Sequence, residues 1–259
     1  MLVLRGFAAI IVIERRSARS TMLKPFLTAN WRYLAMLNFA VDPKILQPLV
    51  PSETELDFHD GQTFLSVVGF LFLDTRVIGV PIPLHRDFEE VNLRFYVRRK
   101  SADQWRRGVV FVRELVPRQA IAIIARTFYG EPYSALPMRH NLEHKEGRVL
   151  AEYQWRRGKR WETLGMTAIG EPQGSAQGSH EEFITEHYWG YTARRSGCSE
   201  YRVEHPRWRL WTAQTTTFDA DVATLYGPQF VETLAASPAS GFIAEGSHIE
   251  VHRRTRELE

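Results

Sequence analysis

The chain has 259 residues, 44% of them hydrophobic and 24% charged, with a formal net charge of +3. That composition excludes collagen-like, disordered and coiled-coil classes and leaves a globular protein long enough to bury a sizeable core. The lone cysteine, Cys198, excludes an internal disulfide and a cysteine-based zinc site, and it suits a reducing, cytoplasmic setting. Basic residues are interleaved with acids, as in RVEHPRWR, which reads as salt-bridged surface; no nucleic-acid partner is expected.

Residues 1–22 carry an apolar run broken by Arg5, too short for a membrane span, with most positive charges after it. They read as an N-terminal extension with Met22 an alternative start, and residues 23–259 as a single domain. WRYLAMLNFAV (31–41) reads as a buried strand, followed by a helix with Asp42 as N-cap and Pro43 at its first position. LDFHDGQTFLSVVGFLF reads as a hairpin around Asp60-Gly61. A Pro- and Gly-rich loop then leads into EEVNLRFYVRR, where Val91, Leu93, Phe95 and Val97 alternate with Asn92, Arg94 and Tyr96 as in a strand.

GVVFVRELV (108–116) reads as another strand, and PRQAIAIIA (117–125) as an apolar helix stopped at Gly130 and held extended by Pro132. RVLAEYQWRRGKRWETLGMTA reads as a hairpin turning at Arg157-Gly158, and HEEFITEHYWGYT as a short helix after a GEPQGSAQGS loop. WRLWTAQTTTF and SHIEVHRR read as strands, and the segment DADVATLYGPQFVETLA as helical on either side of its Gly-Pro. The fold class is therefore α+β: a curved, mainly antiparallel, β-barrel-like sheet with a few short helices.

Several chemistries lack their parts. HEEFITEH does not have the spacing of a zinc helix, so no metal is expected. There is no G-x-S-x-G elbow, no phosphate loop and no GxGxxG after a strand, so no cofactor is expected either.

RTFYGEPYS (126–134) resembles the R-E-x-x-G-x-P-K-K segment of acetoacetate decarboxylase, whose first lysine forms a Schiff base with substrate. WRYLAMLNFAVDP resembles that enzyme's R-x-Y-x-x-x-x-Y-x-x-D-P strand, and FEEVNLRFYV its glutamate-bearing strand. Over about Leu23 to Arg253, WRYLAMLNFAVDP, HRDFEEVNLRFYVR, GEPYSALPM, EHYWGYT and YRVEHPRW resemble the YqjF-like family of uncharacterised bacterial proteins. That family belongs to the acetoacetate decarboxylase-like fold superfamily.

The resemblance places Arg32 and Glu90 at active-site positions, but Tyr133 and Ser134 stand where the decarboxylase has its lysine pair. Lysines 24, 44, 100, 145 and 159 all lie in polar, capping, charged or turn contexts, so no desolvated amine is evident to replace it. Decarboxylation through a Schiff base is not expected. A pocket is, and its candidate residues are Arg32, Glu90, Tyr133, Ser134, Glu131 and His85.

Each candidate has a plainer alternative. Arg32, in an apolar strand, needs a bound anion or an ion pair with Glu90 or Glu131. Glu90 is a pocket carboxylate or a solvated edge charge, Tyr133 a hydrogen-bond donor or a wall aromatic, and Ser134 a ligand contact or a turn hydroxyl. His187 among its aromatics reads as a core histidine. Three functions follow from this reading: a binding protein for a small, anionic or carboxylate molecule, a non-covalent acid/base enzyme acting on a small keto or carboxylate metabolite, or a partner-binding scaffold. The oligomeric state is left open.

Overall fold

The computed structural model describes residues 25–81, 85–102, 104–119, 130–194 and 197–254. The expected extension (1–22) and most of the expected apolar helix (120–125) lie outside these residues. Strand β1 (Leu27–Val41) ends where Asp42 accepts a bond from Lys44 N at 2.9 Å, capping helix α1 (Pro43–Leu46). Pro43 sits where its missing N–H costs nothing.

Next come β2 (Glu55–Leu56) and β3 (Thr63–Val77), separated by a tight turn at Asp60 and Gly61, with φ of 50° and 76°. The turn is as expected, but its two arms do not pair beyond the His59–Gln62 bridge. Instead β2 pairs with β5 (Phe88–Ser101), where Arg98 Nε donates to Glu55 Oε1 at 2.7 Å. Short β4 (Val80–Pro81) folds back on β3. Strand β6 (Gln104–Val116) follows β5 antiparallel, and β7 (Tyr133–Ala135) lies parallel to β6.

A second sheet of four strands is built from β8 (Met138–Lys145), β9 (Arg148–Arg157), β10 (Arg160–Ile169) and β15 (Thr215–Asp219). The β9–β10 hairpin turns beside Gly158 as the sequence predicts. After β11 (Gln173–Gly174), Ser179 caps helix α2 (His180–Thr185), accepting from Glu182 N. The expected HEEFITEHYWGYT helix ends at Thr185, and after an irregular link (186–188) its last residues are strand: β12 (Trp189–Arg194) pairs with β13 (Gly197–Glu204) and with β6. Its aromatic and β-branched residues favour the pleated surface over a helix.

WRLWTAQTTTF also divides, into β14 (Arg209–Thr212) in the large sheet and β15 in the small one. The break is where the backbone changes partners, Ala213 N bonding to Gly241 O and Gln214 N to Thr167 O. Helices α3 (Val222–Leu225) and α4 (Val231–Ala235) flank Gly227-Pro228, and β16 (Ser240–Ala244) and β17 (His248–Val251) complete the large sheet.

Strand β1 bonds to β3 on one edge and to β16 and β17 on the other. From β17 the pairing continues through β13, β12, β6 and β5 back to β3. Two interruptions of register change which side chains face inward. Between Arg32 and Ala35 two residues of β1, Tyr33 and Leu34, stand opposite one of β3, Phe70, with Tyr33 at φ 52°, so Trp31 and Leu34 both line the enclosed side. On β6 one extra residue, Val112, lets Phe111 and then Glu114 face the same side.

Strand β5 has two buried faces. Val91, Leu93, Phe95 and Val97 join Tyr153, Trp155 and Leu164 of the small sheet in one apolar core. Each such side chain contributes about 1.5–3 kcal/mol when fully buried. The opposite face, Glu90, Asn92 and Arg94, looks into a cavity enclosed by the large sheet. Among the described residues no helix is long and apolar enough to cross a membrane.

Candidate acid–base site

The cavity has a volume of about 150 Å³. Its apolar part is aromatic: Trp31 packs edge-on to Phe70 at 5.1 Å, and Phe72 stacks on Phe88 at 4.7 Å. Its polar part is a set of carboxyl groups. Glu90, Glu114 and Glu131 are 3%, 1% and 5% exposed, and all three line the cavity.

Pairing across three strands assembles this set. Asn92 of β5 is registered against Glu114 of β6, and Glu114 against Tyr133 of β7. Asn92 Nδ2 donates to Glu90 Oε1 at 3.0 Å, and the Tyr133 hydroxyl donates to Glu90 Oε2 at 3.2 Å. On the far side the Tyr201 hydroxyl donates to Glu131 Oε1 at 2.5 Å.

That last bond depends on a glycine, because a Cβ on Gly190 would overlap the Tyr201 ring. Gly130, at φ 69°, has the Arg194 guanidinium where a Cβ would stand. The sequence reads Gly130 only as a helix stop. Here it also admits the cation that favours the charged form of Glu131.

Three carboxylates cannot share a dry wall as anions, since each desolvated charge costs several kcal/mol. Burial therefore raises the Glu90 pKa to about 8; the charge of Glu131 adds to the rise, and the bonds from Asn92 and Tyr133 oppose it. Burial raises Glu131 to about 7, against the bonds from Tyr201 and Glu114. Glu114 is pushed well above the carboxylate range by burial and by both neighbouring charges. The three carboxyl groups are coupled, so their protons come off in steps that belong to the group and not to single residues. Tyr133 stays protonated, raised by burial and by the same carboxylates.

Of the six candidates from the sequence, Glu90, Glu131, Tyr133 and His85 line this cavity. Arg32 and Ser134 are not in its wall. Arg32 follows inward-facing Trp31 on the strand and so turns to the other face, where Nη1 donates to Gly246 O at 3.1 Å. The backbone carbonyl takes the place of the anion or glutamate partner expected for it. Ser134, beside inward-facing Tyr133, accepts from Arg113 Nη1 at 3.3 Å.

The cavity's cation is Arg94, which the sequence shows only as one of the polar letters of β5. It makes no ion pair among the described residues, and its Nε has no hydrogen-bond partner. Other buried atoms in this wall are also unpartnered among the described residues: Trp31 Nε1, Thr75 Oγ1, Asn92 Oδ1, Glu114 Oε2 and His187 Nδ1. Native interiors leave few such atoms, and here they are concentrated in one wall.

None of the described lysines, 44, 100, 145 and 159, reaches the cavity, and all four are exposed. For a metal, the group of donor atoms close enough together among the described residues is Glu204, Glu250 and His252. Glu204 is already paired with His252 at 2.9 Å and Arg202 at 3.0 Å, which makes this a surface ion network.

Comparison with solved structures shows an acetoacetate decarboxylase-like fold. Acetoacetate decarboxylase from Legionella pneumophila superposes with a TM-score of 0.62 at 13% identity, covering 100% of this chain and 98% of that one. An acetoacetate decarboxylase-like enzyme from Sphingomonas wittichii gives 0.58 at 15% identity, over 91% and 95% of the two chains. The enduracididine biosynthesis enzyme MppR, complexed with pyruvate, gives 0.60 at 12% identity, over 93% of each.

Among curated proteins, the uncharacterized protein YqjF of Bacillus subtilis is 30% identical over 205 residues, 76% of this chain and 81% of its own. A family profile described as an uncharacterized conserved protein, DUF2071, matches residues 28–248. On that match and the YqjF relationship, the chain belongs to the DUF2071 family.

Proposed function

We propose that this protein is a proton-transfer enzyme that binds a small carbonyl or carboxylate compound in the cavity and acts on it without a Schiff base. The observation that carries the reading is the hydrogen-bonded pair Glu90–Tyr133 in the cavity wall, beside carboxyl groups that ionise near neutrality. Titratable groups tuned toward neutral pH inside a cavity are what general acid–base chemistry needs. We further read the returning path of strand pairing as a closed barrel, with residues 23–259 as one domain around it.

In this reading Glu90, as the carboxylate, takes a proton from the carbon beside the ligand's carbonyl. The C–H electron pair becomes the C=C bond, and the carbonyl oxygen takes up the charge. The Tyr133 hydroxyl, turning from Glu90, donates a hydrogen bond to that oxygen. Glu90 trades that proton with solvent, and delivery of a solvent proton from Glu90 back to the carbon completes an exchange in which nothing is oxidised or reduced. Arg94 attracts a carboxylate, if the ligand carries one.

Pyruvate is a suitable first probe, being small and present in the MppR complex. In D2O the protein should accelerate exchange of the pyruvate methyl protons over buffer, as followed by proton NMR. Glu90→Gln should lower that acceleration by about 10²-fold or more. A wild-type protein with no effect on pyruvate, or a Glu90→Gln variant that exchanges as fast as wild type, would sink the reading.

A simple binding protein is the second reading, supported by the unpartnered atoms of the wall, which need a ligand but no reaction. Saturable pyruvate binding with no exchange at any pH would favour it.

A further inference from the structure

His187 stands in the cavity wall apart from the carboxyl cluster and has no part in the proton transfer described above. It follows α2 and precedes β12, a segment held to β6 by the bond from Tyr188 N to Arg107 O. Its ring lies 4.7 Å from Tyr96 and 5.3 Å from Phe183, which fix its plane. Nε2 is 3.3 Å from Asp57 Oδ2, and the same oxygen accepts from Arg107 Nε at 2.6 Å.

Asp57 is 4% exposed. Burial works against its charge, but the bonds from His187 and Arg107 outweigh it and hold its pKa below the usual value. An ionised carboxylate only accepts, so Nε2 must carry the proton in this pair. Burial, helped by the charges of Arg107 and Arg94, brings His187 down to about 4 despite Asp57, so the ring is neutral at pH 7. A neutral ring with its proton on Nε2 has a lone pair on Nδ1. That atom is buried and has no partner among the described residues.

We infer that His187, oriented by Asp57, is a second ligand-binding group of this cavity, a hydrogen-bond acceptor that selects molecules presenting an O–H or N–H donor. The inference rests on the cavity of the proposed function but not on its chemistry. The aromatic lining and the volume of about 150 Å³ suit a ligand about the size of a benzene derivative. A hydroxyl placed against Nδ1 makes one bond, whereas a methyl of similar size leaves the nitrogen unsatisfied. The requirement is thus for a neutral donor. A carboxylate offers none and belongs instead near Arg94.

Phenol and toluene, nearly equal in shape, test this on the full chain. Wild type should bind phenol about tenfold more tightly than toluene, and His187→Phe should bind both alike. Independently of that variant, a two-bond proton–nitrogen spectrum of ¹⁵N-histidine-labelled wild type should show His187 protonated on Nε2 at pH 7. Phenol should shift its Nδ1 resonance and toluene should not. A phenol preference that survives in His187→Phe, equal binding of both probes to wild type, or a proton on Nδ1 would each overturn the inference. Failure of both probes to bind would overturn it too, while pyruvate exchange would judge the proton-transfer reading separately.

Discussion

Tyr133 bonds to Glu90 across an intervening strand: its hydroxyl reaches from β7 over β6 to the Glu90 carboxylate of β5, 3.2 Å away. The bond favours the ionised carboxylate, which burial otherwise resists. Tyr133→Phe should therefore move the ionisation of Glu90 above about 8. Carboxyl ¹³C NMR across pH 6–10 checks this; an unmoved or lowered midpoint would disprove the coupling.

Stability should fall as pH rises from 6.5 to 8. Glu90 and Glu131, raised to about 8 and about 7, keep protons in the folded state that the unfolded chain has already lost. The folded state binds more protons there, so unfolding free energy declines, by at most about 1.4 kcal/mol per pH unit for each group. His187 and His205, both lowered to about 4, act oppositely, but in the unfolded chain they are already half deprotonated at pH 6.5 and nearly fully so by about pH 7.5, so the decline from the glutamates is the larger effect. Urea unfolding across this window should show the decline, reduced in Glu90→Gln. A flat or rising profile would refute it.

Arg94→Gln should weaken pyruvate binding by tenfold or more, and Arg32→Gln should leave it unchanged. Arg94 is the cation of the cavity wall, while Arg32 bonds to Gly246 O outside it. Loss of the Arg32 bond should cost about 1 kcal/mol of stability. Calorimetric titration of the two variants decides, and the reverse ranking would restore Arg32 as the anion site.

Gly190→Ala should destabilise the protein by about 1–3 kcal/mol, because the added Cβ forces the Tyr201 ring from its place. The loss of the Tyr201–Glu131 bond should accompany it, raising the Glu131 pKa. Denaturant unfolding measures the first effect and carboxyl NMR the second. Wild-type values for both would show that the contact yields freely.

Incubation with acetoacetate and borohydride should leave the intact mass unchanged. The described lysines are exposed and none lines the cavity, so none is desolvated toward a neutral amine. A reduced lysine adduct on mass spectrometry would bring back covalent catalysis.

Much of this was readable in the chain itself. Alternation marked β5 and β6, the turn residues marked 60–61 and 158, and the RTFYGEPYS strip singled out Glu131 and Tyr133 beside Glu90. Glu114 was hidden for a local reason. Continuing the alternation from Val109 and Phe111 puts Arg113 inward, and only the extra residue at Val112 brings Glu114 round. The same kind of irregularity misplaces Arg32, because a run of apolar letters does not say which parity faces a cavity. Arg94 was not singled out, since polar alternation normally means solvent, and here both faces of the strand are covered. His187 and Asp57 lie 130 positions apart, a pairing that no local pattern encodes.

Strand β5 carries two messages in alternate letters. A saturation scan from Glu90 to Phe95 should read like a two-column page, Val91, Leu93 and Phe95 recording whether the chain accumulates at all and Glu90, Asn92 and Arg94 whether an accumulated protein performs the proposed exchange. Under the proposed function, substitutions at those three cavity-facing positions would alter the preferred small molecule while the architecture stays fixed.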